Sequence, residues 1–233
     1  EKLNNKWPDT KYIAYFQAYT NTYAPIEELR DKYNQAIAEE NVVALSIATR
    51  PDCLGDDVLD LLEEMSKKVY LWVELGLQTI NDKTAENFNR GYKFEVFKEG
   101  IKKLQDRGIE VVVHSIFGLP GETKEDMLRT IDYIAHSGAQ GIKFHLLHLM
   151  KNTKMAEQYY NGEFELLSEE DYIDLICQGI SMIPEEMVVH RLTGDAPRAT
   201  LIGPMWSLKK WEVLNAIDKA LVDRDIWQGK NFK

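Results

Sequence analysis

Cysteine is scarce. The 233 residues hold two, Cys53 and Cys177. Two thiols so far apart form neither a zinc framework nor a disulfide scaffold, and they fit a reducing cytoplasm, the expected location. They also fall short of the three or four thiolates that hold an iron–sulfur cluster. Long apolar runs are missing, which excludes a membrane-spanning helix. Positive charge is in deficit: 28 Lys and Arg stand against 38 Asp and Glu, a net of −10, which argues against sequence-blind nucleic-acid binding. No G-x-G-x-x-G follows the first β-rich run, which lowers a dinucleotide-binding reading. The opening residues Glu1-Lys2-Leu3-Asn4-Asn5-Lys6 contain no Met and no apolar signal region, so the start reads as a fragment boundary.

What remains is ordinary globular composition, 44% hydrophobic and 28% charged, enough for one large domain with a buried core. Charge is uneven. Residues 1–185 carry 20 Lys and Arg against 32 Asp and Glu, whereas residues 186–233 carry 8 against 6. A mildly basic C-terminal stretch is either solvated surface or a local positive face.

Two patterns alternate. β-rich runs begin near Tyr12, Val43, Tyr70, Ile109, Gly141 and Met187. Between them lie helical periods: a run opened by Pro25, then 58–68, 94–108, 124–138 and 169–183. Thr123 with Asp126, and Ser168 with Asp171, have capping-box spacing; Gly108, Gly138 and Pro184 are stops. Strand starts spaced this widely predict βα units, because a parallel crossover needs a helix. The strands are near-continuous apolar runs, as for a sheet covered on both faces. A doubly wound sheet and a complete or partial (β/α) barrel both fit. After Leu149 the pattern loosens, dividing the chain into a core at 1–150 and a C-terminal α/β extension at 151–233 packed on it.

In βα proteins chemistry gathers at the C-terminal strand ends, and these ends are polar. The first runs into Gln17, Thr20, Asn21 and Thr22, hydroxyls and amides able to hold a zwitterion or simply to form a turn. The second ends in Thr49 and Arg50, whose guanidinium suits a carboxylate or phosphate, or an Asp52 pair. Glu74 lies inside the apolar run of the third, where a carboxylate must be paired, solvated or liganded; Gln78 follows it. The fourth carries His114, Ile116, Gly118 and Gly121, with glycines that permit close backbone approach before a helix N-terminus. His145 and His148 lie three apart and would not share a strand face, so a zinc pair is not expected; Leu147 lies between them.

Taken in order, YFQAYTNTYAP, IATRPDCL, VELGLQTINDKTAENFNRGY, HSIFGLPGET, IKFHLLHLMKNT and HRLTGDAP with WSLKKWEVLNAID resemble the radical S-adenosylmethionine (SAM) superfamily. Within it they are most similar to the Fe–S oxidoreductase family of the YhcC/YtqA type, related to the catalytic subunit of Elongator. The resemblance implies an α/β fold, a partial (β/α) barrel with a C-terminal α/β extension. It implies a four-iron, four-sulfur cluster on three cysteines, with SAM cleaved to a 5′-deoxyadenosyl radical by an electron from a donor such as flavodoxin or ferredoxin. Gln17, Thr20, Asn21 and Thr22 would lie near the methionine moiety. Thr49, Arg50 and Glu74 would lie near the ribose and carboxylate, with Gln78 close by. Ile116, Gly118, Gly121 and Leu147 would lie beside the adenine. Kinship with Elongator, together with the more basic C-terminal stretch His190, Arg191, Arg198, Lys209 and Lys210, suggests RNA as substrate. The GDAP segment, Gly194 to Pro197, could equally shape a small-molecule pocket. His114, His145, His190, Arg191 and Arg198 would be the substrate-side residues. The cluster motif would be encoded before Glu1, Cys53 follows the wrong strand to replace it, and the isolated chain is expected to be inactive. No catalytic residue and no metal ligand is assigned within it. Two other classes stay open: a non-catalytic barrel that binds SAM or a nucleotide, and a conventional barrel enzyme using Glu74, His114 or His145 for proton transfer.

Overall fold

A computed structural model describes residues 10–233; the boundary reading of Glu1–Lys6 lies outside them. The elements are β1 (Tyr12–Phe16), α1 (Ile26–Ala38), β2 (Val42–Thr49), α2 (Asp56–Ser66), β3 (Tyr70–Gln78), α3 (Asp82–Asn87), α4 (Phe94–Gln105), β4 (Glu110–Phe117) and α5 (Lys124–Ala135). They continue as β5 (Gly141–Leu146), β6 (Leu149–Met150), α6 (Lys154–Tyr160), α7 (Glu169–Met182), β7 (Val188–Arg191), β8 (Leu201–Gly203) and α8 (Lys210–Asp223). The main sheet runs β1-β2-β3-β4-β5-β7, and β6 with β8 forms a short antiparallel pair. The pairs β1–β2, β2–β3 and β5–β7 are parallel. All six β-rich runs start within a residue of the expected positions.

The chain divides into two compact units, 1–76 with 95–112, and 77–94 with 113–233. In the first, strand alternation sorts side chains by face. Leu45 and Ile47 of β2, and Leu71, Val73 and Leu75 of β3, are buried, as is the α2 stripe Val58, Leu59, Leu61, Leu62 and Met65. The opposite strand face carries Ala44, Ser46 and Ala48 of β2 with Trp72 and Glu74 of β3, and there Ala44, Trp72 and Val112 form a small apolar cluster. Helix α2 starts with Asp56 and Asp57 but ends at Ser66, so Lys67 and Lys68 fall beyond its last turn and pair back to Glu63 and Glu64.

In the second unit Ile142, Phe144 and Leu146 of β5 are buried, as are Met127, Ile131 and Ile134 of α5 and Tyr172, Leu175 and Ile176 of α7. Gly179 of α7 admits the Phe144 ring, which would lie 3.0 Å from a Cβ at that position. Phe117 meets Phe144 and Tyr172 at centroid distances of 5.8 and 6.2 Å, and Tyr172 meets Trp206 at 5.4 Å. Helix α7 also packs on α5 and α8. Thr123 and Asp126 make the full capping box of α5, and Ser168 accepts from the Asp171 N–H at the start of α7. Helices α3 and α6 begin at caps from Asn81 and Thr153.

Candidate functional site at the strand ends

In the first unit the ends of β1, β2 and β3 are joined by polar contacts. The Asn21 amide donates to Phe16 O and Ala48 O, both at 2.9 Å, which sews the loop after β1 to the end of β2. The Thr22 and Thr49 hydroxyls meet at 2.5 Å, and Thr22 also donates to Cys53 O at 2.8 Å. Thr22 and Thr49 are buried. Asn21, Thr22 and Thr49 thus have architectural partners. Arg50 grips Asp52 with two hydrogen bonds of 2.9 and 2.7 Å, the pair foreseen as the alternative to anion binding. Gln17 is exposed just past β1, and Thr20 is half-buried in the same loop.

Glu74 is 3% exposed. Its carboxylate accepts from Tyr15 Oη at 2.6 Å, from Ser46 Oγ at 3.0 Å, and at 3.5 Å from Trp72 Nε1. Burial that would be prohibitive for a bare carboxylate is compensated by these donors. Tyr15 and Ser46 escaped the sequence reading; their signal was placement on the face that β-strand alternation gives Glu74.

The second unit presents another group. Gln78 ends β3 with φ +63°, and its Oε1 accepts from Tyr92 Oη at 3.1 Å. Ile116 is half-buried on β4. Gly118 and Gly121 have φ +87° and +86°. A Cβ at Gly121 would meet no atom within 4 Å, so the backbone there is uncovered, whereas Gly118 is buried with the Leu167 side chain 3.1 Å from a Cβ built on it. Leu147 N–H donates to Phe117 O at 2.9 Å, which sets Leu147 beside Gly118, 3.7 Å from a Cβ built there. The His114 and His145 rings lie 5.0 Å apart between centroids, tilted by 40°.

A cavity of about 330 Å³ opens beside Leu147, lined among others by Phe88, Asn89, His148, Met150 and Gln158. Burial pushes the His148 imidazole below its usual pKa, with Asp195 partly opposing. His148 lies beyond the end of β5, so it does not share a strand face with His145. Arg191 is half-buried, while His190 and Arg198 are exposed. In the basic stretch Lys209 pairs with Glu212, Lys210 with Asp195, Lys219 with Asp223, Arg224 with Asp174 and Lys230 with Asp225.

The chain's own donors fit SAM and not the cluster. Hydroxyls, amides and a carboxylate at strand ends suit an aminoacyl group and a ribose, and the open Gly121 backbone suits a flat base. The two thiols do not suit a cluster: Cys177 is buried in α7, and Cys53 is half-buried with its thiol pKa pushed up by burial. No group of three or more metal-ligating side chains occurs among the described residues.

The profile of the radical SAM superfamily matches residues 1–134, and that of the Radical SAM C-terminal domain matches residues 139–223. The uncharacterized protein YtqA of Bacillus subtilis is 53% identical over 232 residues, covering 100% of this chain and 72% of YtqA. A tRNA uridine(34) acetyltransferase of Methanocaldococcus jannaschii is 29% identical over 178 residues, 75% of this chain and 32% of that protein. The solved structure of archaeal Methanocaldococcus infernus Elp3 with an N-terminal deletion superposes with a TM-score of 0.83 at 19% identity, over 97% of this chain and 58% of that one. That likeness gives the fold class as α/β, a partial (β/α) barrel. The family's cofactors are SAM and a 4Fe–4S cluster. By profile and by identity, the chain belongs to the radical SAM superfamily.

Proposed function

We propose that this chain is the SAM-holding barrel of an enzyme that begins its reaction by hydrogen abstraction. Family membership supports the reaction class. The observation that carries the site is the buried Glu74 carboxylate, fixed by Tyr15 and Ser46 at the polar strand ends. With SAM and a reduced cluster bound, the pair would supply hydrogen-abstracting radical chemistry. The chain's residues bind and orient. Gln17 and Thr20 offer side chains to the methionine moiety, Arg50, held by Asp52, lies on the ribose and carboxylate side, and Glu74 takes the ammonium or a ribose hydroxyl. Asn21, Thr22 and Thr49 hold those loops in place. In the second unit, Gln78 offers its amide and Ile116, Gly118, Gly121 and Leu147 receive the adenine. Residues 1–150 form the core and 151–233 an extension packed on it. Short of the three thiolates a cluster needs, the isolated chain is expected not to cleave SAM; in the whole enzyme a donor such as flavodoxin or ferredoxin would supply the electron.

RNA as the substrate draws support from the relative named for tRNA uridine(34). The acidic partners of Lys209, Lys210, Lys219, Arg224 and Lys230 speak against an open basic surface. Titration of the whole protein with tRNA at several salt concentrations separates the cases: a steep fall of affinity with salt supports RNA, and no binding at low salt removes it. SAM itself is tested by calorimetric titration of the anaerobically reconstituted whole protein, wild type against Glu74→Ala. Lost affinity in the variant with an unchanged fold supports the site, and equal affinity refutes it.

A further inference from the structure

Gln78 is not a glycine, yet its backbone lies in the left-handed region at φ +63°. The bend is a three-residue turn closed by Thr79 N–H to Leu77 O at 2.8 Å, a conformation that is strained and persists only when its surroundings impose it. The imposing group is Arg90, itself 4% exposed. Its Nη1 donates to Leu77 O at 2.9 Å and Thr79 O at 2.6 Å, the carbonyls on either side of Gln78. Its Nε donates to Tyr92 O at 3.0 Å and its Nη2 to Asp82 Oδ1 at 2.9 Å. Asp82 also accepts from Phe94 N–H at 2.6 Å, and the Tyr92 ring lies 4.8 Å from the guanidinium carbon. On the other side Thr79 Oγ1 donates to Glu122 and accepts from Asn81 N–H at 2.9 Å.

Burying a guanidinium is costly unless its N–H groups are used. Here they serve backbone carbonyls at the end of a strand, where ladder partners run out. The consequence falls on one side chain. With Oε1 tied to Tyr92, the Gln78 amide is fixed, and its Nε2 has no partner among the described residues.

We infer that Arg90 is a positioning residue, a clamp on the turn that presents the Gln78 Nε2 donors to an oxygen of the ligand. This rests on the SAM reading above and adds what holds Gln78 in register. The test is a double-mutant cycle on the whole protein, reading SAM affinity by calorimetry and stability by urea unfolding. Gln78→Ala and Arg90→Lys are each expected to weaken SAM about tenfold, the scale of a lost hydrogen bond. The double variant is expected to be no weaker than either, because both changes remove the same donor. Additive losses would mean that Arg90 touches the ligand itself, and unchanged affinity in Arg90→Lys would also overturn the inference.

Unfolding judges the clamp without ligand. Gln78→Gly relieves the left-handed strain, so Arg90→Lys should cost less stability in that background; equal costs refute the clamp. If Arg90→Lys does not fold, Tyr92→Phe frees Oε1 alone. It should weaken SAM several-fold while the enzyme stays folded, and unaltered affinity would contradict the inference. A wild-type protein that binds no SAM would remove the SAM reading and leave the clamp to the unfolding cycle.

Discussion

Tyr15 Oη donates to Glu74 Oε2 at 2.6 Å, so a tyrosine that is 39% exposed holds a carboxylate that is 3% exposed. Tyr15→Phe keeps the ring and deletes the donor, leaving Glu74 with Ser46 and the long contact from Trp72. Loss of a charge-assisted hydrogen bond at a buried acceptor is expected to cost about 2 kcal/mol. Urea unfolding checks this, and a change within error would show that solvent replaces the phenol. SAM affinity should fall in parallel, because a loosened carboxylate is a poorer anchor.

Thr22 and Thr49 look like ligand residues in sequence and like joinery in space. Thr22→Val removes a hydroxyl that bonds both the Thr49 hydroxyl and Cys53 O. The expected loss is about 1–2 kcal/mol of stability with SAM affinity changed less than about threefold. Calorimetry beside unfolding checks the split. Unchanged stability with lost affinity would return Thr22 to the ligand.

Two carboxylates set opposite pH trends. Hydrogen bonds from the Thr123 backbone and hydroxyl hold Asp126 below its ordinary pKa of 3.8. Its contribution is therefore complete above that value and is lost as pH falls through the lowered folded pKa. Burial, the largest effect, lifts Glu122 above its ordinary 4.5. Its contribution is complete below 4.5 and is lost as pH rises through the raised folded pKa. Thr123→Ala should lower the unfolding midpoint at neutral pH by about 1 kcal/mol equivalent, and less at pH 3. Glu122→Gln should flatten the stability profile above pH 4.5. Identical profiles for wild type and Glu122→Gln between pH 4 and 7 would show that this carboxyl is not a buried acid in solution.

Six strands and five main helices were legible because each rests on a local rule: alternation, helical period, a cap, a stop. The capping pair Thr123 and Asp126 needs only three residues of context. Helices α3 and α6 were missed because they are short, with little apolar periodicity, and depend on the Asn81 and Thr153 caps. Helix α8, which starts without a side-chain cap, and the short β6 and β8 strands were missed as well. Glu74 was legible as a carboxylate in an apolar run, whereas its partners Tyr15 and Ser46 come from other strands and needed the register. Arg90 was hidden for the same reason. Within Asn89-Arg90-Gly91-Tyr92 it reads as a surface cation, and only the folded chain brings it to Leu77 O and Thr79 O.

On the proposed function, this chain holds SAM for radical chemistry once a cluster is present. The most direct measurement is the EPR spectrum of the reduced cluster in protein extended at its N-terminal end, purified without oxygen and reconstituted with iron and sulfide, with and without SAM. A four-iron signal that shifts on adding SAM, with 5′-deoxyadenosine released, is the result predicted. A signal that ignores SAM, or no cluster at all in the extended protein, would contradict it and leave a barrel that binds SAM or a nucleotide without radical chemistry.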